Sequence, residues 1–98
     1  MLWPVPMAVV SLRSPLRQLA EDRGEVEVLG STLGEVLTGL QRLHPRLTGW
    51  VLDERGEIRE HVNVFVNGER GTLGAPVGRR DRVQIIQNIS GGSGRTDD

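Results

Sequence analysis

Ninety-eight residues with a formal net charge of −1 and no cysteine hold one small domain and leave no room for a second core. The near-neutral charge argues against nucleic acid as a partner, and the missing cysteines exclude disulfides, thiolate chemistry, iron–sulfur clusters and thiolate-bound zinc. No apolar run approaches the roughly 20 residues that span a bilayer, and residues 1–6, broken by two prolines and lacking a basic start, do not read as a signal peptide, so a cytoplasmic protein off the membrane is expected.

The first periodic segment is Met7 to Leu12, where Ala8, Val10 and Leu12 share one face of an expected strand. Pro15 breaks it, and Leu16 to Ala20 reads as a turn packed on the core. Glu25 to Leu29 is a second strand, with Val26 and Val28 inward and two glutamates outward. Thr32-Leu33-Gly34-Glu35 has the form of a capping box, a hydroxyl at the N-cap and a carboxylate three residues on. Leu33, Val36, Leu37, Leu40 and Leu43 then follow at helical spacing as one apolar stripe. Pro45 stops this helix. Gly39 inside it costs about 1 kcal/mol against alanine, which close approach to a sheet would justify.

Asp53 to Gly56 reads as a turn between Trp50-Val51-Leu52 and Ile58. His61 to Val66 is the clearest strand, with Val62, Val64 and Val66 inward and Asn63 and Phe65 outward. Asn67-Gly68 after it is a strong hairpin signal. A Gly-rich connection holding Leu73 and Val77 leads to the last strand, Arg82 to Ile86, with Val83 and Ile85 inward. One helix with one sheet on which to bury its stripe gives an α+β roll.

Gly91-Gly92, just past that last strand and followed by Ser93 to Asp98, is the most informative feature. Without Cβ atoms a diglycine adopts conformations closed to other residues, so it can thread a narrow active site. Removal of residues 93–98 would leave a carboxylate on a slim arm. From Ile89 to Gly92 that arm reaches about 10 Å at roughly 3.3–3.6 Å per residue. All twelve basic residues are arginine. A reactive acyl terminus would then meet no lysine amine on its own surface; a GC-rich genome, which favours arginine codons, gives the same composition.

Taken together, Leu16-Arg17, the Thr32-Leu33-Gly34-Glu35-Val36-Leu37 helix start, His61 to Gly68, and Asp81 to Ile86 with Ile89-Ser90-Gly91-Gly92 resemble the MoaD/ThiS family of ubiquitin-like sulfur carriers. The likeness runs from about Met7 to Gly92. It implies a β-grasp fold, a mixed four- to five-stranded sheet packed on one main helix. Residues 1–6 are then an extension expected to be flexible, with Met7 an alternative start to Met1. Residues 7–92 form the carrier domain with its diglycine arm, and 93–98 a flexible tail expected to be removed.

The resemblance further implies a protein that is not an enzyme and holds no cofactor stably. A ubiquitin-activating-type adenylating enzyme would use ATP to activate the Gly92 carboxylate, a persulfide would convert it to a thiocarboxylate, and a synthase would receive the sulfur. Carried over by position, Gly92 is the acyl carbon and Gly91 its slender neighbour. The family's docking face, the outside of the sheet near the tail, would here present Phe65, Ile86 and Ile89 as an exposed apolar cluster.

Three departures stand out: Ser93 to Asp98 follow the glycines, Arg80 stands where the family often has glycine, and Gln87-Asn88 replaces a common proline. The first implies cleavage between Gly92 and Ser93, in some relatives the work of a metalloprotease. The alternatives are a modifier joined through Gly92 to lysines of other proteins and an unprocessed β-grasp interaction domain. His44 and His61, the two histidines, have no ligand-spaced carboxylates beside them and do not read as a metal site. Trp3 and Trp50 are expected to pack, and Glu21, Asp22, Glu25 and Glu27 to form a solvated edge.

Overall fold

The computed structural model describes residues 7–87. Five strands, β1 (Met7–Leu12), β2 (Glu25–Leu29), β3 (Val62–Val66), β4 (Glu69–Arg70) and β5 (Arg82–Gln87), make one mixed sheet in the order β2-β1-β5-β3-β4. β1 and β5 run parallel at its centre; every other pairing is antiparallel. One face of the sheet is covered by α2 (Leu33–Leu43), as in ubiquitin-like β-grasp domains.

Strict alternation makes the inner face. Ala8, Val10, Leu12, Val26, Val28, Val62, Val64, Val83 and Ile85 are buried against Leu33, Val36, Leu37 and Leu40 of α2. A Cβ on Gly39 would lie 2.9 Å from Val28 Cγ1, so the glycine is what lets α2 approach β2. Leu16, Ala20, Leu47, Val51, Leu52 and Val77 close the margins of the core.

The turn expected after Pro15 is one helical turn, α1 (Leu16–Leu19), with Leu16 buried. Three local expectations need correction. Leu43 is 55% exposed and leaves the stripe. At about 100° per residue, His44 is the position that returns to the face of Leu40, and Leu43 swings to its margin. His44 is accordingly buried, and Leu47 of the 3-10 turn Pro45–Leu47 fills the end of the core. Trp50 is exposed rather than packed.

The cap, finally, is shared between two residues. Thr32 Oγ1 accepts the Glu35 N–H at 3.2 Å, but the Glu35 carboxylate accepts from the Ser31 N–H at 2.8 Å and the Ser31 hydroxyl at 3.0 Å. Around the Thr32–Pro76 bridge, Leu33 N–H donates to Ala75 O at 2.9 Å and Val77 N–H donates to Ser31 O at 3.0 Å, which fixes Ser31 beside the start of α2. The Ser31 N–H, first among these bonds, holds the Glu35 carboxyl below its usual value.

Asn67 and Gly68 both have positive φ, 52° and 87°, the conformation of a type I′ turn. This turn folds Glu69–Arg70 back on Val66 and Phe65. Arg80 also has positive φ, 66°, while its N–H donates to Met7 O at 2.9 Å. A left-handed residue with a Cβ costs roughly 1–2 kcal/mol, more than the roughly 0.5–1 kcal/mol of extra chain entropy a glycine loses. Arg80→Gly is therefore expected to raise Tm by a few degrees in a thermal melt, at about 4–8 °C per kcal/mol for a domain of this size. An unchanged or lower Tm would show that the arginine is not strained.

Candidate functional site

The site is built around the end of β5. Its entry is fixed by side chains of low cost and good geometry. Gly78 N–H donates to Asp81 Oδ2 at 2.7 Å, and Asn67 Oδ1 accepts the Arg82 N–H at 2.9 Å while the Asn67 N–H donates to Arg82 O at 2.8 Å. These bonds tie the β3–β4 hairpin to the start of β5 and set its register. The Gly78 N–H, with the Asn67 side chain behind it, holds the Asp81 carboxyl below the ordinary carboxylate range. Arg82 also reaches Glu25 at 3.1 Å. Both groups are exposed, so that pair adds little to stability.

From there β5 runs between β1 and β3, with Leu12 opposite Ile85 and Val62 opposite Gln87. β5 is held on both sides as far as Ile85, and by β3 alone at Ile86 and Gln87. Gly91 and Gly92 lie four and five positions beyond Gln87 in the sequence. They, together with Ile89 and Ser93, fall outside the described residues.

On the outer face, Phe65 stands opposite Gln84 on one side and Arg70 on the other, and Ile86 stands opposite Asn63. Phe65 and Ile86 are therefore diagonal neighbours across β3 and β5, roughly 7–8 Å apart at Cα, within reach of an aromatic side chain. The outward placement expected from the alternation holds for both. They are half-buried rather than fully exposed, because neighbouring side chains on the pleated face cover part of each. Glu25 and Glu27 lie exposed on β2 at the opposite edge.

Asn63, outward as its strand parity implies, is joined on this face by Arg70, which strand parity alone does not single out. Arg70 Nη2 donates to Asn63 Oδ1, which carries the guanidinium along the face toward Ile86. The Asn67-Gly68 signal could have found this pair: a two-residue loop after Val66 places Arg70 beside Phe65 on the outer face. Of the histidines, His61 is exposed, and His44 is buried with Nδ1 unpartnered. Among the described residues, no group of three or more His, Cys, Asp or Glu could hold a metal ion, and no helix is long and apolar enough to cross a membrane.

Comparison with known proteins gives this geometry a context. The sequence model of the ThiS family matches residues 10–92. Small archaeal modifier protein 1 of Haloferax volcanii is 36% identical over 62 residues, which span 63% of this chain and 71% of that protein. The crystal structure of that archaeal protein, SAMP1, is similar with a TM-score of 0.80 at 30% identity, covering 88% of this chain and 99% of the other. A crystal structure of a BexX/CysO complex from Amycolatopsis orientalis contains a similar chain, with a TM-score of 0.79 at 27% identity and coverage of 87% and 99%.

Proposed function

The chain belongs to the ThiS family of ubiquitin-like β-grasp proteins, whose members are small carriers or modifiers, and from that premise we propose that it is a sulfur carrier acting through the carboxylate of Gly92. The observation that supports this reading is where the family match stops. It runs through the central strand to the second glycine and ends there, at residue 92.

The chemistry required is modest for this chain and demanding for its partners. While Ser93 is attached, the Gly92 carbonyl is an amide and has no free oxygen to attack a nucleotide. Hydrolysis of that one bond, by a peptidase, releases residues from Ser93 onward and leaves the carboxylate. An oxygen of that carboxylate attacks the α-phosphorus of ATP in an adenylating enzyme, and pyrophosphate leaves. Persulfide sulfur then attacks the acyl carbon and AMP leaves. A thiol of a partner cleaves the resulting sulfur–sulfur bond, and the thiocarboxylate remains on Gly92. This chain has no cysteine, so both the persulfide and the thiol come from partners. A synthase is the acceptor that takes the sulfur.

A second reading draws on the relative named as a modifier. In it a lysine amine on another protein attacks the same acyl-adenylate and forms an isopeptide. Denaturing blots of host extract separate the two: a ladder of heavier adducts favours the modifier.

The carrier reading is tested with a chain ending at Gly92, incubated with the host's adenylating enzyme, ATP and a persulfide source. Its intact mass is expected to rise by the difference between sulfur and oxygen. Pyrophosphate release with no mass change would move the reading to the modifier. No pyrophosphate release would end both.

A further inference from the structure

Arg70 stands on β4 opposite Phe65, with β3 between it and β5, and neither ion pair found among the described residues involves it. Those pairs are Arg17–Asp22 and Arg82–Glu25. Its side chain is exposed and donates to Asn63 Oδ1 on the outer face; Arg70 itself stands opposite Phe65, and Asn63 stands opposite Ile86. A guanidinium carries five N–H donors in a rigid fork. The Asn63 bond uses one Nη2 donor, so the fork is oriented, and among the described residues most of its donors have no partner.

The surrounding charges do not neutralise it. Glu25 and Glu27 are on β2, four strand spacings from β4 in the sheet order, about 19 Å at roughly 4.8 Å per spacing. That exceeds the screening length of about 8–10 Å at physiological salt. Glu69 alternates to the other side of β4, opposite Val66. Glu57 and Glu60 line the adjoining cleft beside Arg70, in the company of Arg59, and neither pairs with Arg70. The outer face thus has carboxylates at the β2 edge, and at the β5–β3–β4 end a half-buried Phe65–Ile86 pair with an oriented cation that forms no ion pair with its neighbours Glu57 and Glu60.

We infer that Arg70, positioned by Asn63, selects the adenylating partner by pairing with a carboxylate that the partner presents at the rim of an apolar recess for Phe65 and Ile86. The inference rests on the carrier reading and names the chemistry of that partner's surface. A preformed guanidinium loses little rotamer freedom on binding, and its planar fork matches a carboxylate bidentately. Asn63 is a positioning residue in this arrangement; it orients the cation and itself meets no reacting group. Arg70 acts on recognition rather than on chemistry at Gly92, so its effect belongs in KM for the carrier and not in kcat.

The test is ATP–pyrophosphate exchange by the host's adenylating enzyme, with the chain ending at Gly92 as the varied substrate. Arg70→Glu is expected to raise KM at least about tenfold, because a like-charge contact replaces an opposite-charge one, with kcat within about twofold. Arg70→Lys keeps the charge but loses the planar fork and should raise KM about three- to fivefold, less than Arg70→Glu, and Asn63→Ala should raise KM about two- to fourfold. Raising salt from about 0.05 to 0.5 M should raise the wild-type KM, and Arg70→Ala should flatten that dependence. Thermal melts of all four variants matching wild type exclude misfolding as the cause. An unchanged KM for Arg70→Glu with the wild-type salt dependence would overturn the inference. Failure of the wild-type chain to support exchange at any salt would instead remove the carrier reading, an outcome read in a separate arm.

Discussion

A full-length chain whose Gly92–Ser93 bond resists cleavage is expected to take up no sulfur, however much adenylating enzyme and ATP are supplied. The reason lies in valence rather than in affinity. An amide carbonyl cannot displace pyrophosphate to give an acyl-adenylate, so loss should be complete and not partial. Binding to the partner should survive, since the proposed docking residues Phe65, Ile86 and Arg70 are in the folded sheet. The uncleaved chain should therefore act as a competitive inhibitor of the trimmed one. Changing Gly92 to alanine in the trimmed chain tests the companion point. It adds one methyl group where the arm must pass a narrow site, and should lower charging with little effect on the melting curve. A Gly92→Ala chain charged at the wild-type rate would show that slenderness at this position is not required.

The second large effect concerns the fold that carries the arm. Leu40 is fully buried between α2 and the sheet. Leu40→Ala removes apolar contact and leaves a cavity, for a loss of about 2–5 kcal/mol. Small domains have only about 5–15 kcal/mol of stability in total. Chemical denaturation should show that loss, and Tm should fall by on the order of 10–30 °C. Leu43→Ala, three residues on and 55% exposed, should change stability by no more than about 0.5 kcal/mol. Equal losses at the two positions would mean that α2 presents a different face to the sheet.

That pair of leucines also marks where the sequence was legible and where it was not. β1, β2, β3 and β5 could be read because each buries one face, so valine, leucine and alanine recur at every second residue. The start of α2 was legible through Thr32 and its stripe through Leu33 to Leu40. At the helix end the pattern failed because a leucine and a histidine competed for one position, and hydrophobicity alone favoured the leucine. Geometry favoured His44, at the spacing that returns to the buried face. β4 is two residues long and charged, with no alternation to detect; only the turn before it signalled its presence.

The candidate site was readable to a similar depth. Phe65 and Ile86 followed from strand parity. Arg70 did not, since its significance depends on a bond to Asn63 that only the folded hairpin creates. Arg80 reads in sequence as a departure from the family's glycine, and the fold gives the departure its physical meaning as a residue held at positive φ. Gly91 and Gly92, which bear the proposed chemistry, are argued from covalent reasoning and from the reach of the family match.

Intact mass spectrometry of the protein isolated from its own host tests the central claim most directly. The account predicts a species ending at Gly92, part of it heavier by the exchange of one oxygen for sulfur. A population that uniformly keeps Ser93 and the residues after it, in cells where the protein is at work, would contradict it.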